Sequence, residues 1–191
     1  MTSLTLNLDA LVALTDEQFY KLCRSNRDLR FERTAAGELI VMSPAGSKSG
    51  NRNASLTSQV WIWNKQTGSG KVFDSSTGFR LPNRAIRSPD VAWVQLERWN
   101  ALTAEQQEKF APLCPDFVIE LRSITDELKP LQLKMQEYLD NGLRLGWLID
   151  PQTGQVEIYR PEIEIEVVPS PAHLSGEEVL PGFVLSLRDI L

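Results

Sequence analysis

The chain has 191 residues, 42% hydrophobic and 24% charged, with 20 Lys/Arg against 25 Asp/Glu for a net charge of −5. That balance excludes disorder and collagen, leaves enough apolar mass for a real core, and predicts one domain over residues 1–191. No apolar run approaches the roughly 20 residues of a membrane span, no basic residue precedes Lys21, and Cys23 and Cys114 make no disulfide framework, so a soluble cytoplasmic protein is expected.

Thr15-Asp16-Glu17-Gln18 reads as a capping box that opens a helix over about 15–25. Residues 29–33 and 38–42 read as short strands about a turn at Ala36-Gly37, followed by a small-residue loop over 43–50. Leu56, Val60 and Trp63 recur at helical spacing and predict a helix over 53–66. Strands are expected over 71–73, 78–81 and 90–94, then a polar, partly helical excursion over 97–109 that ends at Pro112 and Pro115. Residues 117–122 form the strongest strand pattern, and 126–141 the strongest helix, stopped by Asn141-Gly142. Strands over 145–149 and 156–159 flank a turn at 150–154, with a further strand over 162–168 and a short closing helix over 185–191. Helices and strands mixed without strict βαβ alternation give an α/β fold of mixed α+β character, a mixed β-sheet flanked by helices.

The single histidine, His173, lies in a proline-punctuated stretch and leaves no room for a two-His metal site or a convincing Ser-His-Asp triad. Metal chemistry, if present, is carboxylate chemistry, which favours Mg²⁺ or Mn²⁺. Charge is unevenly spread. Residues 21–90 hold twelve Lys/Arg against five Asp/Glu, a net of +7 that leaves −12 for the rest. A basic segment beside an acidic remainder is the footprint expected for a phosphate backbone, and equally of an ordinary solvated basic face.

Alternation along residues 117–122 puts Glu120 and Arg122 together with Val118 on one face of an otherwise apolar strand. Charges there need partners or mark a site. Pro89-Asp90 opens the strand over 90–94 and offers a second acid, and two carboxylates at adjacent strand ends can hold a divalent ion that orients water against a phosphate.

Pro89-Asp90 followed by Glu120-Leu121-Arg122 resembles the PD-(D/E)xK nuclease signature, with Arg122 where the lysine normally stands. Four stretches together resemble the Uma family of bacterial restriction-endonuclease-like proteins. They are Gly37-Glu38-Leu39-Ile40-Val41-Met42-Ser43-Pro44, Arg87-Ser88-Pro89-Asp90-Val91-Ala92-Trp93-Val94, Pro115 through Ser123, and Lys134 through Pro151. The resemblance implies a restriction-endonuclease-like fold and metal-dependent phosphodiester cleavage. It makes Asp90 and Glu120 the metal-binding acids, Mg²⁺ or Mn²⁺ the cofactor, nucleic acid (DNA by expectation) the substrate, and a homodimer the expected assembly.

It also implies that the lysine has moved to the following helix, where Lys134 matches. Lys134 lies beside the apolar stripe of Leu128, Leu131, Met135, Tyr138 and Leu139, within reach of the sheet end, whereas Lys129 sits more nearly opposite that stripe. Arg122 stays charged at any working pH, so its expected role is a phosphate contact or the orientation of Glu120. Asn51, Arg52 and Asn53 stand where many relatives carry a histidine. Glu38 is expected to face solvent, Asp116 to sit at a strand edge, and Trp99 to be the tryptophan most exposed to a partner. The competing reading is a nucleic-acid-binding or partner-binding protein that keeps the fold without cutting, consistent with Arg122 in the lysine position and with the overall acidity.

Overall fold

The computed structural model describes residues 3–8 and 14–191. Its first half contains β1 (Ser3–Leu6), α1 (Asp16–Ser25), β2 (Arg30–Arg33), β3 (Leu39–Met42), α2 (Ser47–Thr67), β4 (Gly70–Asp74), β5 (Phe79–Arg80), β6 (Ile86–Arg87) and β7 (Val91–Gln95). The short helices α3 (Leu96–Asn100) and α4 (Ala104–Glu108) lead to β8 (Phe117–Leu121), α5 (Leu128–Asp140), β9 (Leu145–Asp150) and β10 (Gln155–Tyr159). Then follow β11 (Glu166–Pro169), β12 (His173–Ser175) and β13 (Val184–Ser186).

The central sheet runs β11-β10-β9-β8-β7-β4. Its two middle strands, β8 and β9, pair in parallel and its other pairs are antiparallel, so the sheet is mixed. Every residue of β8 and β9 is buried, which explains why both read as nearly unbroken apolar runs. Leu56, Val60 and Trp63 of α2 cover the face that presents Val91, Trp93, Phe117, Ile119 and Trp147. Met135 and Tyr138 of α5 cover the opposite face, against Ala92, Val94, Val118 and Leu148. A second, antiparallel sheet runs β1-β3-β2-β6-β5 and packs Phe31, Leu39 and Ile86 on Phe19 of α1. No helix among the described residues is long and apolar enough to cross a membrane.

Two expectations need correction. Helix α2 begins at Ser47, well before residue 53, because extended Gly46 serves as its N-cap and the apolar face farther along holds the weak Ser/Gly/Asn opening in register. Residues 185–191 form no helix. Leu185 and Leu187 alternate with period two, β13 pairs with β12, and Leu185, Leu187 and Ile190 complete the α2-side core. The structure also adds β6 and β12, of two and three residues and too short to announce themselves by periodicity, and β1, whose Leu4-Thr5-Leu6 alternation the sequence reasoning passed over.

Close approach at Gly70 locks α2 to the central sheet. Buried Asn64 donates to the Gly70 carbonyl at 3.0 Å and accepts from Trp93 Nε1 at 2.9 Å. A Cβ at Gly70 would lie 2.4 Å from both the Trp93 indole and the Val94 carbonyl, and the latter is backbone that cannot swing aside. Gly70→Ala should therefore destabilise the protein by about 1–3 kcal/mol, the usual cost of overpacking, read as a lower denaturation midpoint in urea. A midpoint equal to that of the wild type would show that this contact relaxes freely.

Candidate active site

The chemistry-bearing residues meet where β8 ends, between the two sheets and under α5. Glu120 points from β8 toward α5, on the same face as Val118. There Oε1 lies 2.8 Å from Lys134 Nζ and accepts a hydrogen bond from the Tyr138 hydroxyl at 3.1 Å. Lys134 and Tyr138 stand four residues apart on α5, so one face of the helix brings both to the same oxygen. Asp90 precedes β7 and is fixed through both oxygens. Its Oδ2 accepts from the Leu121 backbone N–H at 2.8 Å, and its Oδ1 accepts from Asn53 Nδ2 of α2 at 2.7 Å. The Leu121 bond ties Asp90 to the residue following Glu120, which sets the two acids side by side at the strand end.

A third carboxylate comes from the other sheet. Glu32 of β2 lies 2.8 Å from Lys134 Nζ and 3.1 Å from an Arg87 amine, and accepts from the Ser88 N–H at 2.9 Å. Arg87 also pairs with Glu137 of α5. Charges thus alternate in sign from Glu137 through Arg87, Glu32 and Lys134 to Glu120. Asp90, Glu120, Glu32, Lys134, Asn53 and Ser49 are among the residues lining one cavity of about 490 Å³.

Burial governs the protonation of this cluster. It raises Glu120 to about 7; the Lys134 cation opposes that rise, and the Asp90 and Glu32 carboxylates add to it. Asp90 is likewise raised by burial, against the Leu121 N–H, Lys134 and Asn53. Burial works against both Glu32 and Lys134 but is outweighed. Lys134 and Arg87 hold Glu32 below the usual carboxylate range, and Glu120 and Glu32 hold Lys134 above the ordinary lysine value. Lys134 is therefore an ammonium at every working pH.

Residues 16–188 match the Uma2 family, described as "Putative restriction endonuclease". The chain belongs to this family. A solved structure is similar over 92% of this chain and 96% of its own, with a TM-score of 0.74 and 22% identity. It is the "Crystal structure of a putative nuclease belonging to DUF820 from Anabaena variabilis ATCC 29413". At that identity the likeness establishes the fold alone, a mixed sheet flanked by helices. No curated protein matches the chain.

Asp90, Glu120 and Lys134, the residues expected from the sequence, stand together around the cavity, and Arg122 stands apart. Arg122 lies beyond the last residue of β8, where strand alternation no longer directs it toward Glu120. Leu121 pairs with Ile149 of parallel β9, so Arg122 falls beside Asp150, 2.8 Å away, and its Nε donates to the Asp126 carbonyl at 3.0 Å. It does not orient Glu120. Asp116 stands immediately before β8, at the strand's edge as expected, and is wholly buried and paired with Arg98 at 2.9 Å. Trp99 packs on Phe73 with ring centroids 5.1 Å apart, and Trp61 is the exposed tryptophan. Glu38 lines the cavity and accepts from the Thr34 hydroxyl at 3.2 Å. Much of the basic segment is structural as well, since Arg33 and Arg80 pair with Asp16, and Arg87 with Glu32 and Glu137.

Sequence reasoning missed Glu32, Arg87, Asn53 and Tyr138 as partners at the site. An acid flanked by the apolar Phe31 on a short buried strand was the available signal for Glu32. The donor set suits a small hard cation. Among the described residues no group of three or more His, Cys, Asp and Glu is placed to hold a metal. Mg²⁺, however, is commonly held by one or two carboxylates, with water and substrate phosphate completing its shell. Asp90 and Glu120 would provide that pair, and the buried Asn53 Oδ1 beside Asp90, which has no hydrogen-bond partner among the described residues, could accept from such a water.

Removing Lys134 would leave Glu120 and Glu32 short of a buried counter-charge. Lys134→Met should cost about 3 kcal/mol, measured by urea denaturation with the metal chelated. Combining it with Glu120→Gln should recover part of that loss, a coupling of about 1–3 kcal/mol. Strict additivity of the two variants would mean that the ammonium and the Glu120 carboxylate do not sustain each other.

Proposed function

We infer that the protein is a metal-dependent nuclease of the PD-(D/E)xK type that hydrolyses phosphodiester bonds in DNA. The observation that carries this reading is the meeting of Asp90, Glu120 and Lys134 at one strand end, in a chain of the Uma2 family. Asp90 and Glu120 would hold Mg²⁺ or Mn²⁺. Such an ion supplies Lewis acidity toward the phosphate and a more acidic bound water.

The rest of the work falls to the protein's own groups. Leu121 N–H and Asn53 fix the Asp90 carboxylate, and Tyr138 fixes Glu120, so neither acid must reorganise as charge develops. Lys134 keeps its proton and offsets negative charge on the scissile phosphate, which suits it to electrostatic stabilisation rather than to proton abstraction. Cleaving both strands of a duplex requires two such sites, which a homodimer would supply. Burial raises the Cys23 thiol to about 11 and that of Cys114 to about 12, so both stay protonated and unreactive, in keeping with a cytoplasmic setting.

The test is cleavage of plasmid and single-stranded DNA with Mg²⁺, Mn²⁺ or chelator. Wild type should cut only with metal. Asp90→Asn, Glu120→Gln and Lys134→Met, each verified as folded by circular dichroism, should lose on the order of 10²-fold or more in rate. DNA that stays intact with wild type and either metal, while still being bound, would make this a binding protein on a nuclease fold.

A further inference from the structure

Helix α2 presents two neighbouring rows of side chains to two different cavities. Ser49 and Asn53, four residues apart, face the carboxylate cavity, where Asn53 holds Asp90. Lys48 and Arg52, also four apart and one step around the helix, line a second groove of about 460 Å³. The two cavities share Ser49 and Ser123, so the groove opens directly from the site.

The groove is one-signed. Lys48, Arg52 and Arg122 line it together with Ser47 and Thr125, and no carboxylate does so among the described residues. Arg122 is neutralised by Asp150. Lys48 and Arg52 take part in no ion pair among the described residues, in contrast with Arg33, Arg80 and Arg87 of the same basic segment. Two cations without an ion pair among the described residues thus stand on the lip of a buried acidic site, where an anion leaving that site would pass. The first turn of α2 carries no acid that would offset them.

We propose that this groove is the track for the substrate strand, in which Lys48 and Arg52 hold the phosphates flanking the scissile one. The proposal rests on the nuclease reading. The ligand class is the sugar–phosphate backbone of a nucleic-acid strand, bound without regard to base sequence because both groups offer charge to phosphate. Lys48 and Arg52 touch flanking phosphates rather than reacting atoms. They therefore contribute uniform binding, which sets KM and leaves kcat unchanged.

The test measures binding of fluorescein-labelled single-stranded and duplex DNA 20-mers by anisotropy in chelator, from low to moderate salt. Lys48→Ala/Arg52→Ala should weaken binding on the order of tenfold and flatten the log–log salt slope by roughly 2, one per residue. In metal, the same variant should raise KM with kcat within about threefold of wild type. Lys65→Ala/Lys71→Ala removes equal charge from exposed positions outside the groove and should change neither the slope nor KM appreciably.

Equal affinity and slope for Lys48→Ala/Arg52→Ala and wild type would overturn the track, as would a loss matched by the Lys65/Lys71 control. If the wild type cleaves DNA in such a case, the nuclease reading survives without the track. If DNA is bound through the groove but never cut, the nuclease reading falls and with it the substrate track, leaving the groove as a strand-binding site only.

Discussion

The ammonium of Lys134 is the point on which the site depends. It sits 2.8 Å from Glu32 of one sheet and 2.8 Å from Glu120 of the other, and it belongs to the helix that packs over the central sheet. Three elements distant in sequence are thereby joined by one buried charge. Two carboxylates this deeply buried cannot approach one another without a cation between them, because desolvation and mutual repulsion would neutralise one of them. The raised Glu120, at about 7, reflects how nearly that limit is reached.

The remaining contacts divide between holding the acids and screening the cation. Asp90 has no lysine of its own and is held by hydrogen bonds from Leu121 and Asn53, so its orientation depends on β8 and α2 rather than on α5. Glu32 is saturated by Lys134, Arg87 and the Ser88 N–H, which removes it from the set of free metal ligands despite its position. Of the three carboxylates, Glu32 is thus held by two cations, Glu120 by one and Asp90 by none among the described residues. Under the proposed function, that asymmetry would leave Asp90 and Glu120, rather than Glu32, to hold one small cation completed by water and phosphate.

The layered core was legible in the sequence because β8, β9 and α5 carry strong, unambiguous periodicity. The strand pair also announced its acids, since Glu120 interrupts an apolar run and Asp90 opens the adjacent strand. Lys134 was legible only as a helix-edge residue, and its pairing required the family pattern. What the sequence could not display was the partnership across the sheets. Glu32 and Arg87 lie on strands of four and two residues, too short for a period, and their ionic bonds span 55 residues. Arg122 misled for a local reason: alternation holds only while the strand lasts, and β8 ends one residue earlier. The basic segment divides for an energetic reason, because Arg87 is paired with buried Glu32 and Arg33 with the partly exposed Asp16, while Arg30, Lys48 and Arg52 stand beside the site without an ion pair among the described residues.

The central claim is that Asp90 and Glu120 form a single divalent-cation site beside a permanently charged Lys134. Anomalous diffraction from crystals soaked in Mn²⁺ tests it most directly. The account predicts one anomalous peak at the end of β8, bonded to an oxygen of each carboxylate at about 2.1 Å, with Lys134 still in the cavity. A Mn²⁺-soaked crystal with no peak there, or with the ion on Glu32 and the Asp90 and Glu120 carboxylates unligated, would contradict it.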